Sequence, residues 1–436
     1  MSRRSVTPLL IGTFFLRVNS GAVTVVLGLF LAQLALHAGH HITSLQVGLL
    51  PVAFFISELL LAPLMGALGD RWGRRYFLIF GPIPGLIHVC LIPFTPVANP
   101  LPYLLFLQII AAFSSAMIIP ATLSYLADIT AQDQVRRTRV MSLYELATSG
   151  GIAVGVAIAG FAWDYLGRYA FGLIAFFYLV VAVCMVLAPK VKQVTERGTL
   201  GTLVRRYWSV IHTPRFFLFI PAWISISSLA GIWFSSQVPF LLTMHKHDPN
   251  QLLIGSMSGH GGGSRVSLVL GVYVLFFSLC LIFWAFFLNR VPRLRLMLTS
   301  IAGVYLACIA LAGINHRGIG NDFLLLIFIP LLTIGVFAES SFAPAALSYL
   351  ADVTEEAARD RGLLMGLYSI FLGLGQSIGN GLGGVFAHNF GFDGLIYLTA
   401  LLAFVALISL LWLNWQEGKR SRTDKVHATS SMNEIS

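Results

Sequence analysis

The chain has 436 residues, 57% of them hydrophobic and only 11% charged, where a soluble domain carries about 25% charged residues. No water-soluble core absorbs that much apolar surface, which excludes the soluble enzyme and regulator classes. The formal charge of +10 invites a nucleic-acid reading, but its placement along the chain assigns it elsewhere.

The apolar residues fall in twelve runs, at 8–36, 45–68, 76–95, 103–128, 139–163, 169–188, 216–243, 266–288, 296–314, 323–350, 362–387 and 394–415. About 20 apolar residues cross the roughly 30 Å hydrocarbon layer as a helix. In lipid a backbone must satisfy its own hydrogen bonds, so the runs are predicted to be helices. They lack the alternation of a membrane barrel. The first run is too long for a signal peptide, and no small-residue cleavage site follows it. The expectation is an all-α membrane protein with twelve transmembrane helices, numbered here as spans 1 to 12.

With Met1 on the inner side, the inner segments hold 23 of the 28 Lys and Arg residues, and the outer loops hold only Arg168, Lys246, Arg265 and Arg317. This bias is the positive-inside rule. It predicts a multi-pass protein of the cytoplasmic membrane with both termini in the cytoplasm, and it accounts for the net charge without a nucleic-acid partner. The four cysteines, Cys90, Cys184, Cys280 and Cys308, fall in four different spans without metal or redox spacing, and read as small apolar fillers.

The chain repeats itself. SYLADIT at 124–130 returns as SYLADVT at 348–354, and without gaps 120–171 matches 344–395 at 17 of 52 positions. The matches pair Pro120 with Pro344, Asp128 with Asp352, Gly151 with Gly375, Gly155 with Gly379 and Gly167 with Gly391. Spans 4 and 5 thus correspond to spans 10 and 11, and the two halves cross the membrane in the same direction. A parallel six-plus-six repeat describes one large class of secondary transporter. The expected organisation is a first six-helix bundle at 1–188, a middle loop at 189–215, a second bundle at 216–415 and a disordered tail at 416–436. Within the loop, LVRRYWSVI at 203–211 reads as a short amphipathic surface helix.

Between spans 2 and 3 the chain reads GALGDRWGRRYFL, and between spans 8 and 9 it reads AFFLNRVPRLRLML. Asp70 pairs with Asn289, Arg71 with Arg290, Gly73 with Pro292 and Arg74 with Arg293. GALGDRWGRR resembles the G-x-L-x-D-R-x-G-R-R signature of the major facilitator superfamily, and the twelve spans, basic middle loop and degraded second copy agree with it. The resemblance covers essentially the whole chain. It implies two pseudo-symmetric six-helix bundles around one central cavity that opens alternately to each side. Gly66 is predicted to allow close helix packing and Gly73 a tight turn. The resemblance places Asp70 at the N-terminus of span 11, where a helix dipole favours an anion. Arg71, Arg74 and Arg75 are expected to partner Asp128 at the end of span 4. Arg290 and Arg293 are expected to serve Asp352 in the same way. A gate of this kind and a purely topogenic role for the arginines are the two readings of the motif.

Ionisable groups inside the bilayer cost about 2.5–3.5 kcal/mol each at a helix centre and mark candidate sites. Arg17 and Asn19 lie in span 1, Glu58 in span 2, Glu145 in span 5 and Glu339 in span 10. Arg17 and Glu58 lie about equally far from the inner ends of antiparallel spans, at about 1.5 Å per residue. They are therefore level and able to pair, as a structural ion pair or as a cavity pair. Glu339 has no basic residue in its span or at matching depth apart from Arg17, and its first-half equivalent is Ser115. The resemblance implies that spans 1, 4, 7 and 10 line the cavity. A lone carboxylate there is suited to taking and releasing a proton or holding a cation. Hydrogen bonding to Ser340 or Ser341 is the structural alternative. Gln108, Ser114, Ser227, Ser228, Gln376 and Asn380 are further polar candidates, and Trp223, Trp233 and Phe342 are candidate aromatic walls. His88 is expected to be structural, and His37, His40 and His41 to be solvated loop residues rather than metal ligands.

Two departures from the drug–proton antiporter pattern leave the direction of transport open. Gln108 stands where those relatives carry an arginine, and Val156 follows Gly155 where they carry proline. The glycines of GGIAVGVAIAG at 150–160 are predicted to pack span 5 against span 8. GHGGGSR at 259–265 lacks the Gly-Lys-Ser/Thr ending of a phosphate-binding loop, and no metal cluster or nucleophile–base arrangement marks an enzyme. The reading is a monomeric secondary transporter without cofactors, driven by a proton gradient and exporting a small lipophilic or cationic compound. The alternatives are proton-coupled uptake of a small metabolite or sugar, and a membrane receptor or scaffold on a transporter fold.

Overall fold

The computed structural model describes residues 6–37, 42–130, 134–189, 214–245, 248–287, 290–317, 320–355 and 361–433. His40, His41, Asn289 and the surface-helix segment 203–211 lie outside the described residues, and so do the side chains of Asp70, Asp128 and Asp352.

Among the described residues the helices trace twelve segments of membrane-spanning length, not all of them single helices. Span 1 is Thr7–His37, span 2 Ser44–Trp72, span 4 Pro100–Thr130, span 5 Gln134–Leu166 and span 6 Ala170–Val186. Span 8 is Gly262–Phe287, span 9 Arg293–Asn315, span 11 Arg361–Phe390 and span 12 the first part of Phe392–Asn433. Spans 5 and 6 are so apolar that hydropathy alone runs them together as one stretch, Arg139–Val186. A 3-10 turn at Gly167–Tyr169, with Gly167 at φ 54°, separates them.

Spans 3, 7 and 10 are each broken in two. Span 3 is Arg74–Phe80 and Pro82–Leu91, and the break falls where Pro82 has no N–H to give. Span 7 is Pro214–Trp233 and Gln237–Thr243, and span 10 is Leu325–Glu339 and Phe342–Glu355. Both of these breaks carry a Ser-Ser pair. The Ser235 hydroxyl donates to Ile232 O, Ser340 to Phe337 O and Ser341 to Ala338 O. Hydroxyls that capture carbonyls of their own helix compete with the backbone ladder and loosen it. The tail, expected to be disordered, instead continues the last helix through Asn433. Good helix formers dominate its first turns and no proline follows.

Gly73 joins spans 2 and 3 at φ 111°, a conformation that suits glycine. Its tight turn is as the motif predicts.

Burial shows how the halves meet. One buried apolar cluster runs through the second half and includes only the part of the first half remote from the termini, such as Val25, Phe30, Val47 and Leu107. The terminus-side part of the first half forms a separate cluster of its own around Leu9, Met65, Phe77, Tyr125 and Met185. The halves are fused on the face remote from the termini and parted on the face that bears them.

Candidate functional site

The first half gathers four of the candidate residues. The Ser115 hydroxyl on span 4 donates to Glu58 Oε1 on span 2. Arg17 on span 1 lies within electrostatic reach of both Glu58 and Glu145. Its Nε is buried with no hydrogen-bond partner among the described residues. Arg17 and Glu58 are level, as their depths predict, but they form no ion pair. Depth fixes height along a helix, not direction around it, and Ser115 lies closer to the Glu58 carboxylate. Arg17, Glu58 and Ser115 are half-buried and Glu145 is exposed. Helical side chains lean toward their own N-terminus, which carries the Arg17 guanidinium toward the open face. Asn19 is fully buried, and neither atom of its amide finds a partner among the described residues. Gln108 is buried within span 4.

In the second half, Glu339 is the last residue of the upper segment of span 10, directly at the Ser-Ser break. Both serine hydroxyls are committed to backbone carbonyls, and Ser341 also reaches Leu296 O at 3.2 Å. The expected serine partnership is therefore not made. Glu339 lies within electrostatic reach of Tyr273 on span 8 and Cys308 on span 9. It is half-buried and has no ion pair among the described residues. Gln376 on span 11 is half-buried, and its carbonyl accepts from Asn380 Nδ2 at 2.8 Å. Trp223 and Phe342 stack at 6.0 Å between ring centroids. Trp233 donates to Thr399 at 3.1 Å and so is committed to packing against span 12. His88 is buried, with neither ring nitrogen partnered among the described residues.

The described contacts of the basic turn are made to backbone carbonyls. Arg74 donates to Ser124 O on span 4 at 3.5 Å. Arg75 donates to Ala188 O at 2.8 Å and Val186 O at 3.1 Å, carbonyls that end span 6. Cations suit these orphaned helix C-terminal carbonyls. Arg71 is exposed, and among the described residues no heavy atom stands within 4 Å of where a Cβ on Gly66 would be. Arg290 lies 4.9 Å from the Phe287 ring centroid, and Arg293 is half-buried at the start of span 9.

The span 5 glycines divide between two partners. Gly151 and Gly155 pack against Phe14, Arg17 and Val18 of span 1, and only Gly160 meets span 8, at Gly263. Three polar residues at the seams were not singled out from sequence. Asp164 accepts from the N–H groups of Gly263 and Ser264, and Ser267 bonds the backbone of span 5. Gln237, wholly buried at the span 7 break, donates to Asn380 O at 2.6 Å. A polar residue beside a serine pair inside an apolar run was the available signal for Gln237.

Comparison with known proteins agrees with this architecture. A family model described as Major Facilitator Superfamily matches residues 9–264 and 250–431. Multidrug resistance protein 2 of Bacillus subtilis (strain 168) is 25% identical over 354 residues, covering 79% of this chain and 80% of that protein. Quinolone resistance protein NorA of Staphylococcus aureus is 25% identical over 206 residues, covering 46% of this chain and 50% of its own length. Among solved structures, the nucleoside transporter NupG aligns with a TM-score of 0.70 at 15% identity, over 95% of this chain and 98% of that one. A bacterial homologue of the human lysosomal transporter Spinster, in an inward-facing and unoccupied conformation, aligns with a TM-score of 0.62 at 16% identity, over 94% of each chain. At these identities the structural likeness speaks for the fold.

Proposed function

The chain belongs to the major facilitator superfamily, a family of membrane transporters for small molecules, and from that premise we propose that it is a proton-coupled exporter of a small lipophilic or cationic compound. The carrying observation is the pair of half-buried carboxylates inside the bilayer, Glu58 and Glu339, neither in an ion pair among the described residues. Groups so expensive to place in a membrane mark substrate or proton pathways. Glu58, held by Ser115 and flanked by Arg17 and Glu145, offers a site whose charge changes with one proton. Glu339, at a helix break, offers a second. The names of the relatives, one a multidrug and one a quinolone resistance protein, favour export.

The protein sits in the cytoplasmic membrane as a monomer with both termini in the cytoplasm. The fused face then looks outward and the parted face inward, so the cavity is open to the cytoplasm. Loading from inside, closure of the inner mouth by the basic turn and opening of the outer seams complete a rocking cycle. The proton gradient supplies the energy, and no cofactor is required. Uptake of a metabolite is the second reading, favoured by Gln108 and Val156 at positions where drug–proton antiporters differ.

Everted vesicles offered a fluorescent lipophilic cation from the outside provide the test. The wild type is expected to accumulate the dye against its gradient only while a proton gradient stands. Glu339→Gln and Glu58→Gln should insert normally, lose that accumulation by about tenfold or more, and retain downhill exchange. Glu339→Gln transport with full pH dependence and undiminished accumulation would overturn the role of Glu339. Dye movement indifferent to the proton gradient in the wild type would overturn the coupling.

A further inference from the structure

The glycine-rich run at 259–265 is not a phosphate loop, and the structure gives it another use. Span 8 begins at Gly262, so the N–H groups of its first turn have no partner within the helix. Asp164, near the end of span 5 in the opposite half, supplies them. Its Oδ1 accepts from Gly263 N–H at 3.0 Å and its Oδ2 from Ser264 N–H at 2.7 Å. A carboxylate at a helix N-terminus is also favoured by the helix dipole.

One turn further along span 8, Ser267 makes a second cross-half contact. Its hydroxyl accepts from Gly160 N–H at 2.6 Å and donates to Val156 O at 2.7 Å. These two backbone groups are four residues apart, and in an undisturbed helix they are each other's partners. The approach is possible because Gly160 and Gly263 both lack side chains. A Cβ on Gly160 would collide with the Gly263 carbonyl, and one on Gly263 would stand 2.7 Å from both the Gly160 carbonyl and Asp164 Oδ1.

We propose that Asp164 and Ser267 are the residues that set how tightly the face remote from the termini stays shut: a hydrogen-bonded latch between the two halves that opening must release. The chemistry makes the latch reversible. When span 8 withdraws, Gly160 N–H and Val156 O bond to one another, so no buried group of span 5 is orphaned. Asp164 is exposed at the rim, so it and the span 8 N–H groups are taken up by water. The contacts are thus realised in one state and replaced at little cost in the other. A two-state element needs this property if its equilibrium is to be moved by cargo or protons. The latch follows from the meeting of the halves and is independent of cargo and coupling ion.

The test needs no substrate. In a background with the four native cysteines replaced, spin labels at Tyr165→Cys and His260→Cys report the distance between the two halves at this seam; Tyr165 is 86% exposed and His260 is exposed. The purified full chain is measured in lipid nanodiscs by pulsed electron spin resonance. Ser267→Ala should raise the long-distance population about 2- to 10-fold, the range expected for one net hydrogen bond. Asp164→Ala should raise it further, and Ser267→Thr, which keeps the hydroxyl, should leave it as in the wild type. Identical distributions in all four proteins overturn the proposal, as does a shift in Ser267→Thr equal to that in Ser267→Ala. If Asp164→Ala does not accumulate in the membrane, the Ser267→Ala and Ser267→Thr pair decides alone. A cysteine pair at Asp164→Cys and Ser264→Cys supplies the converse: oxidation should hold the distance at its short value and reductant should free it. A long-distance population undiminished after complete cross-linking also counts against the latch.

Discussion

Among the seams that close the face remote from the termini, one lies between spans 5 and 8 and another between spans 2 and 11. The internal repeat makes them equivalent. In the register that pairs Asp128 with Asp352, Val156 falls opposite Asn380 and Gly160 opposite Gly384. In the register that pairs Asp70 with Asn289, Gly48 falls opposite Ser267 and Ser44 opposite Gly263. The contacts obey this symmetry: Gly160 abuts Gly263, and Gly384 abuts Ser44 and Gly48. Even the capture of a helix carbonyl is repeated, since Val156 O accepts from Ser267 and Asn380 O accepts from Gln237. The donor differs in origin. Ser267 belongs to the half opposite Val156, whereas Gln237 and Asn380 belong to the same half. The first seam is therefore tied across the boundary by hydrogen bonds, and the second, among the described residues, is closed by fit, with Gly48 seated over Gln237, Asn380 and Gly384. Duplication preserved the geometry of the interface, and the chemistry of each copy was free to diverge.

Filling the glycines tests that symmetry with the largest expected effect. A Cβ at Gly160 would strike the backbone of span 8, and one at Gly48 would stand 2.6 Å from Asn380 O and 2.8 Å from the Gly384 Cα. Overpacking of this kind costs about 1–3 kcal/mol, or roughly a five- to 150-fold shift in a two-state equilibrium. Gly160→Leu and Gly48→Leu should each insert normally and open the remote face. A membrane-impermeant thiol reagent applied from that face would then label a single cysteine placed at Val52, which is half-buried beside Gly381. Labelling as slow as in the parent protein would show that neither glycine contact holds the face shut.

The fold was legible because its signals are coarse. Apolar runs of membrane length and a repeat extending well past SYLADIT suffice for twelve crossings in two bundles. The breaks in spans 7 and 10 were not legible, because hydropathy averages over two serines. The bonds that loosen the helix, such as Ser235 to Ile232 O, are local and uncharged. The site was legible in depth and not in direction. Arg17 and Glu58 are level, but nothing in their spacing says that Ser115 would reach Glu58 first. Glu339 was visible as an unusual residue, whereas its neighbours Tyr273 and Cys308 come from other spans. Asp164 gave no signal in the sequence, since its partners are 99 and 100 residues away.

Gln237 allows the second seam to be weakened through a hydrogen bond made within one half. Its amide donates to Asn380 O, and its own Oε1 is buried with no partner among the described residues. Gln237→Leu removes the donor together with that orphaned acceptor. The orphaned carbonyl costs about 1–3 kcal/mol, and loss of the unpaired oxygen offsets part of it. The thermal midpoint in detergent should fall by a few degrees, with Gln237→Glu, which carries a carboxylate into the same buried place, falling further. A midpoint unchanged in both variants would mean that the Asn380 carbonyl is served by its own helix.

The smallest effect is expected where the sequence change is smallest. Ser267→Ala deletes two hydrogen bonds on paper, yet Val156 O and Gly160 N–H regain each other and no polar group is left stranded. Because nothing buried remains unsatisfied, the closed state loses only about one net hydrogen bond, ~0.5–1.5 kcal/mol, which is small against the unfolding of a chain of this length. The thermal midpoint of Ser267→Ala should therefore stay within about a degree of the parent, well inside the shift of Gln237→Leu. The two carbonyls are equivalent by the repeat, and the two substitutions each remove one side-chain donor to them. They differ in what the helix can recover, because the hydroxyl bridges both members of a backbone pair and the amide holds only one. If Ser267→Ala proves as destabilising as Gln237→Leu, span 5 does not close on itself. Opening the first seam would then leave a buried carbonyl unpaired, as the loss of Gln237 does in the second.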